Sequence, residues 1–328
     1  MIRFGVIGTN WITDSFISAA SQHPEFKLVA VYSRTAERAR EFAGKYGVDL
    51  IFTNLEEMAK SEELDAVYIA SPNSFHAEQA IHLMEHKKHV LCEKPMASNT
   101  RELEQMIATA KKQNVLLMEA LKTTFLPNFQ EVKKNLQKIG PVRRYVASYC
   151  QYSSRYDAYK EGTILNAFKP EFSNGSLVDI GVYCLYPAVY LFGKPNEVKA
   201  SGLILETGVD AEGSLILQYD DKDVVILFSK ITNSYLPSEV QGEEGSIVLD
   251  KLNPPEDVKI RYRDGRIEDI AVEQSNHPMY YETKEFIELL NSGKYQSSIN
   301  SFETSQLVME ILDEARKQMG VVYPSDLN

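Results

Sequence analysis

The sequence predicts an α/β chain in two domains. Residues 1–121 form a doubly wound parallel sheet, and residues 122–328 form an α+β domain with a large open, mostly antiparallel sheet. Three observations predict it. A chain of 328 residues exceeds one ordinary core and suits two domains. Its first third alternates short apolar runs with amphipathic helical stretches, the pattern of strand–helix–strand crossovers. Beyond residue 121 strands dominate, punctuated by turn dipeptides.

Ile2 to Ile7 is the first strand, and Trp11 to Ser21 the first helix. Lys27 to Tyr32 is a strand, and Thr35 to Tyr46 a helix with Gly47 at its C-terminal end. Asn54, with Glu57 three residues on, opens a short helix. Asp65 to Ala70 is almost wholly apolar, as a strand covered on both faces must be. A helix from Phe75 to Glu85, a strand His89 to Cys92, a helix Thr100 to Gln113 and a strand Val115 to Glu119 complete the first domain. A helix from Pro127 to Ile139 then ends at Gly140-Pro141. Strands follow at 142–149, 198–205, 214–219, 224–230, 246–249 and 258–262, with turns at Glu244-Gly245 and Asp264-Gly265. Helices at 280–291 and 302–319 close the chain.

The net charge of −11 argues against nucleic acid and anionic membrane as partners, since both need a basic face. No apolar run comes near the roughly 20 residues a spanning helix requires. The start of the chain goes straight into strand-like sequence with no basic leader. Three cysteines, Cys92, Cys150 and Cys184, are too few for a disulfide framework. The expectation is a cytoplasmic protein.

The first strand runs into Gly8-Thr9-Asn10-Trp11-Ile12-Thr13 and then a helix. This is the place for the glycine-rich turn of a Rossmann domain, whose amides and helix N-terminus hold a pyrophosphate. Asn10 and Thr13 stand where the second glycine and third small residue belong. Asn tolerates left-handed backbone better than most residues, so the turn survives. The plainer alternative is a strand–turn–helix with no ligand. The end of the second strand decides the cofactor. An NAD-specific site puts a carboxylate there to accept from the ribose 2′-OH. Here the end reads Ser33-Arg34, with Arg38 one helical turn on, and these groups suit a 2′-phosphate. NADP(H) is therefore favoured, with NAD(H) possible.

Three further segments make the chain resemble the Gfo/Idh/MocA oxidoreductases. Ser71-Pro72-Asn73-Ser74-Phe75-His76 is similar to the family's loop beside the nicotinamide and its ribose. Glu93-Lys94-Pro95 is similar to the signature that supplies the active-site lysine. Gly175-Ser176-Leu177-Val178-Asp179-Ile180-Gly181-Val182-Tyr183 resembles the second-domain motif, and its tyrosine looks closest to the dihydrodiol dehydrogenase branch. The resemblance implies hydride transfer between a nicotinamide and a carbinol or carbonyl of a sugar, polyol or diol. It also implies an open second-domain sheet that packs against another subunit, hence a homodimer or homotetramer. The arginine the family often carries before Phe-x-Pro is absent from Thr124-Phe125-Leu126-Pro127. A non-catalytic dinucleotide-binding sensor of the same fold is the rival reading.

Hydride transfer needs a group to exchange the hydroxyl proton and a cation for alkoxide character. Lys94, at the C-terminal end of a parallel strand, stands where such sheets bind ligands, and burial would lower its ammonium pKa. Tyr183 is the candidate acid/base, its phenol acidified by the lysine and the oxidised nicotinamide. Asp179, four residues earlier on one helical face, would bind a substrate hydroxyl or orient the lysine. The alternative makes Tyr183 core and Asp179 a helix-start charge. Glu93 anchors the loop or the nicotinamide ribose. Tyr152, Arg155, Tyr156, Asn166 and Phe168 precede the second-domain motif as substrate contacts or as a structural loop. His82 and His86 have helical metal spacing, but no carboxylate or thiol pattern completes a site and Lys87-Lys88 repels cations, so no metal is expected.

Overall fold

The computed structural model describes residues 1–327. In chain order the elements are β1 (Ile2–Ile7), α1 (Trp11–Ala20), β2 (Phe26–Tyr32), α2 (Ala36–Gly44), β3 (Leu50–Phe52), α3 (Leu55–Lys60), β4 (Ala66–Ile69), α4 (His76–Glu85), β5 (His89–Glu93), α5 (Thr100–Gln113) and β6 (Leu117–Ala120). There follow α6 (Pro127–Asn135), β7 (Val142–Cys150), α7 (Ser154–Lys160), α8 (Val182–Phe192), β8 (Glu197–Ile204), β9 (Asp210–Gln218) and β10 (Asp223–Ser229). The chain ends with β11 (Ser238–Gly242), β12 (Gly245–Leu249), β13 (Val258–Tyr262), β14 (Ile267–Asp269), α9 (Tyr280–Asn291) and α10 (Phe302–Met319).

The chain divides into two compact units. The first comprises Met1–Lys122 with Asn276–Phe302, and the second Thr123–Ser275 with Glu303–Asn328. A single cut after residue 121 therefore misses the return of α9 to the first unit. Six parallel strands in the order β3-β2-β1-β4-β5-β6 form the first unit's sheet. The order reverses on either side of β1, and the carboxyl ends of β1 and β4 at such a switch point are where sheets of this kind bind ligands. Phe4 and Phe16 pack below this sheet, and Phe286 of α9 meets Phe4 with ring centroids 5.7 Å apart.

The second unit holds eight strands in the order β14-β13-β12-β11-β7-β10-β9-β8, antiparallel except for β7 against β10. One face is fully buried through Tyr145, Leu215, Leu217, Ile226, Val240, Ile247 and Ile260. On the other face Ile216, Val225 and Val146 lie in register across three strands and remain partly open. The β8 edge is blunted by Gln318 of α10, which accepts from Ala200 N at 2.8 Å and donates to Val198 O at 2.8 Å. The expectation that no apolar run reaches membrane length is corrected at Pro170–Phe192, which passes by length and composition. It is 72% buried inside the protein and carries Pro187, so it is a core segment of the second unit.

Candidate active site

The turn after β1 is built on one backbone constraint. Gly8 has φ +103°, and a Cβ there would lie 2.5 Å from the carbonyl oxygen of Ala70, so only glycine fits. Asn10 does not take the left-handed conformation its position suggests. Its backbone is extended (φ −108°, ψ 179°), and its side chain caps α1 by accepting from Ile12 N at 3.1 Å and Thr13 N at 3.3 Å. The same amide donates to Ala70 O at 3.2 Å, which ties the end of β1 to the end of β4. Thr13 is buried and Trp11 is 67% exposed at the mouth of the turn. The close approach at Gly8 and the dipole of a ten-residue helix fit a dinucleotide pyrophosphate. Asn10 takes two first-turn amides that glycine would have left to it.

Tyr32 pairs with Ile7, so Ser33 and Arg34 leave β2 beside the Gly8 turn. Arg34 is exposed. Arg38 folds back onto the turn: its Nη2 donates to Thr9 O at 2.8 Å, its Nε to Thr9 Oγ1 at 3.2 Å, and its Nη1 to Glu41 at 2.8 Å. A positive rim thus borders the turn where an NAD-type carboxylate would stand.

The loops after β4 and β5 are locked together by His76. Its ring is fully buried, with Nδ1 2.9 Å from Pro95 O and Nε2 2.9 Å from Ser71 O. Burial lowers its pKa, against the pull of those two carbonyls. Ser71 Oγ donates to Gln79 at 2.7 Å, Pro72 precedes a short helical turn over Asn73–Phe75, and the Lys94–Pro95 peptide is cis. Glu93 is 8% exposed and accepts from the Tyr68 hydroxyl at 2.5 Å. Burial pushes its carboxyl up, while Lys94, Tyr68 and Lys122 pull it back. It anchors the loop that carries Lys94.

Two groups here escaped the sequence reading. Lys122 follows β6 as Lys94 follows β5, and burial holds its ammonium below the usual lysine range. Glu282 of α9 is fully buried, and neither carboxylate oxygen has a hydrogen-bond partner among the described residues. Burial and Glu93 push its carboxyl well above the usual range, with Lys122 opposing. Lys94, Glu93, Lys122 and Glu282 therefore form a mutually coupled cluster of two cations and two acids in the first unit. Glu282 shares a helical face with Phe286 and Leu289, and an acid on an apolar face was the available signal.

In the second unit the Gly175 segment is fastened by Asp210. A Cβ on Gly175 would lie 2.1 Å from Asp210 Oδ1, and Asp210 Oδ2 accepts from Leu177 N at 2.6 Å. Residues Leu177–Gly181 form a π-helical turn leading into α8. This wider winding replaces the regular helix on which Asp179 and Tyr183 would share a face. Asp179 does pair with a lysine of its own unit: Lys230, which is 4% exposed and follows β10. Tyr183 is 9% exposed, its ring 5.8 Å from that of Tyr149. Phe168 is wholly buried with Tyr156 and Tyr159 packed on it, so it belongs to the core.

The reading that nothing completes the His82/His86 pair is corrected too. Glu56 brings a carboxylate within 2.7 Å of His82 Nε2 and 3.7 Å of His86 Nε2.

A glycine turn packed on a strand end, and a lysine at the next strand's carboxyl end beside buried acids, define a two-domain nicotinamide-dependent oxidoreductase. The comparisons with known proteins agree. Residues 2–121 match the model described as oxidoreductase family, NAD-binding Rossmann fold, and residues 129–248 match the GFO/IDH/MocA C-terminal domain. The chain belongs to the GFO/IDH/MocA oxidoreductase family. It is 60% identical to scyllo-inositol 2-dehydrogenase (NADP(+)) of Bacillus subtilis, covering 99% of each chain. It is 31% identical to trans-1,2-dihydrobenzene-1,2-diol dehydrogenase of Xenopus tropicalis, covering 98% of this chain and 99% of that one. Among solved structures, a 3-ketoreductase from Actinomadura kijaniata in complex with NADP and TDP-benzene superposes with TM-score 0.83 at 23% identity. That match covers 98% of this chain and 99% of that one, and speaks to the fold.

Proposed function

We propose that this protein is an NADP(H)-dependent dehydrogenase of an inositol-like cyclic polyol, with NAD(H) the weaker cofactor. The relative at 60% identity supports the substrate class. The observation that carries the cofactor choice is the end of β2. No acid stands there, Ser33 and Arg34 leave the strand beside Gly8, and Arg38 is clamped to Thr9. A 2′-phosphate would gain charge-assisted hydrogen bonds from this rim, and a bare ribose would not.

The dinucleotide, when bound, supplies or accepts the hydride at its nicotinamide. The protein's part is the proton and the developing oxyanion. Lys94 is assigned the cation that stabilises alkoxide character, held by a loop that His76 and Glu93 pin from either side. Tyr183 is assigned the proton exchange at the substrate hydroxyl, through its phenolic oxygen. Asp179, held by Lys230, is assigned a hydrogen bond to a neighbouring hydroxyl. The half-open row Ile216, Val225 and Val146 supports a homodimer or homotetramer that covers it.

The test is calorimetry with NADPH and NADH, followed by a screen of inositols for NADP+ reduction. NADPH should bind at least tenfold more tightly. Arg34→Asp should weaken NADPH by roughly 1–2 kcal/mol, screened because the group is exposed, and leave NADH unchanged or tighter, since a carboxylate there accepts from the ribose 2′-OH. Equal affinity of the two dinucleotides for the wild type defeats the cofactor assignment, and failure to oxidise any inositol defeats the substrate class.

A further inference from the structure

We infer that Glu56, His82 and His86 form a divalent transition-metal site that clips α3 to α4, apart from the dinucleotide turn and the Lys94 loop. His82 and His86 lie one turn apart on one face, with ring centroids 5.0 Å apart. Glu56 sits in the first turn of α3 and faces both. One ligand atom from each of the three falls within 4.8 Å of the others.

Three details point to a cation rather than to an ordinary ion pair. His86 Nδ1 lies 3.0 Å from the carbonyl oxygen of His82, which can only accept. Nδ1 therefore carries the proton, and Nε2 presents its lone pair toward the carboxylate. This is the outer hydrogen bond that orients metal-binding imidazoles. His82 Nε2 is shielded from solvent and makes no hydrogen bond, although Glu56 Oε2 lies 2.7 Å away. The two atoms are close but misaligned for N–H donation, as two lone pairs aimed at a shared centre would be. Bonds of about 2.0–2.1 Å at tetrahedral angles set neighbouring ligand atoms roughly 3.4 Å apart. Glu56 Oε2 lies 2.7 Å from His82 Nε2 and its Oε1 3.7 Å from His86 Nε2, so side-chain rotations about Glu56 and His86 bring one oxygen and both imidazoles to that spacing.

The lysines that argue against a cation in sequence are engaged elsewhere. Lys87 Nζ donates to Gln113 O at 2.9 Å, and Lys88 Nζ to Ser61 O at 2.5 Å and Leu64 O at 3.0 Å. Lys60 holds Glu56 Oε1 at 2.5 Å, which leaves Oε2 beside His82 for the ion. Two imidazoles and one carboxylate select Zn2+, Ni2+ or Cu2+ over Mg2+ or Ca2+. The side chains are 29%, 27% and 43% exposed, so water completes the shell.

The full-length protein, stripped with chelator, is titrated with Zn2+ by calorimetry and with Co2+ by visible absorbance. One equivalent should bind with micromolar affinity, Co2+ should develop d–d bands, and the melting temperature should rise with Zn2+. His86→Gln and Glu56→Gln should each weaken binding at least about 30-fold, while Lys60→Ala leaves it unchanged or tighter. Far-UV circular dichroism verifies that the variants fold. No saturable binding up to millimolar Zn2+, or equal binding by wild type and both ligand variants, overturns the assignment.

Discussion

Asp210 offers a test in which sign and size both follow from the structure. It is fully buried, fastens the Gly175 turn through Leu177 N, and its carboxyl is pushed up to about 6 by burial. In the unfolded chain the same carboxyl titrates near 3.9. The native state therefore keeps its proton over a window in which the unfolded state has released it. Where the native state holds more protons, stability falls as pH rises. The penalty is absent below about pH 4, grows through the window and is complete above about pH 6. A gap of roughly two pH units is worth about 3 kcal/mol at 1.36 kcal/mol per unit. Asp210→Asn keeps an acceptor for Leu177 N and removes the titration. Urea unfolding followed by far-UV circular dichroism is compared for the two proteins from pH 4 to pH 7.5. Other carboxylates cancel in the difference, so wild type should lose about 3 kcal/mol relative to the variant across that range. Parallel curves would refute the claim that Asp210 enters the native state with a raised pKa.

Gly8→Ala should cost roughly 2 kcal/mol or more, because its φ of +103° is strained for any side chain and its Cβ meets Ala70 O. Melting temperature and NADPH affinity should fall together, and a variant with unchanged NADPH binding contradicts the close approach. Lys94→Met should leave NADPH binding nearly intact and slow single-turnover hydride transfer on the order of 10²-fold or more. Tyr183→Phe should slow the same step by roughly 10² to 10⁴, and normal turnover would return Tyr183 to the core. Light scattering at micromolar concentration should give a dimer or tetramer mass, and a monomer mass would show that the Ile216 row needs no cover.

Much of this architecture is readable from periodicity. β4 is an unbroken apolar run because helices cover both faces, while β9 and β10 alternate because one face stays open. The three-residue strands β3 and β14 are too short to carry a pattern, and β11 (Ser-Glu-Val-Gln-Gly) has a single apolar residue in five and so no alternation. The site divides along a similar line. Gly8, His76, Glu93 and Lys94 lie at the carboxyl ends of parallel strands, where local pattern and position coincide. Lys122 was open to the same argument as Lys94. Asp210 and Lys230 were not, since each acts on a partner tens of residues away and has no local signature, while Glu282 showed only as an acid on an apolar helical face. Asn10 looked like a weakened glycine because capping and phosphate binding compete for the same amides, and sequence alone does not say which wins. Glu56 reaches His82 only because α3 packs beside α4.

The return of α9 to the first unit sets a timetable for synthesis on the ribosome. The aromatic cluster beneath the parallel sheet includes Phe286, which meets Phe4, and the coupled cluster of lysines and acids includes Glu282. Neither exists until the whole of β7 to β14 has been translated. The first unit to emerge therefore waits for its missing helix until most of the second unit has been made. A nascent chain stopped after residue 121 would expose the side of Phe4 that Phe286 of α9 later covers, which makes it a client for chaperones that recognise apolar surface.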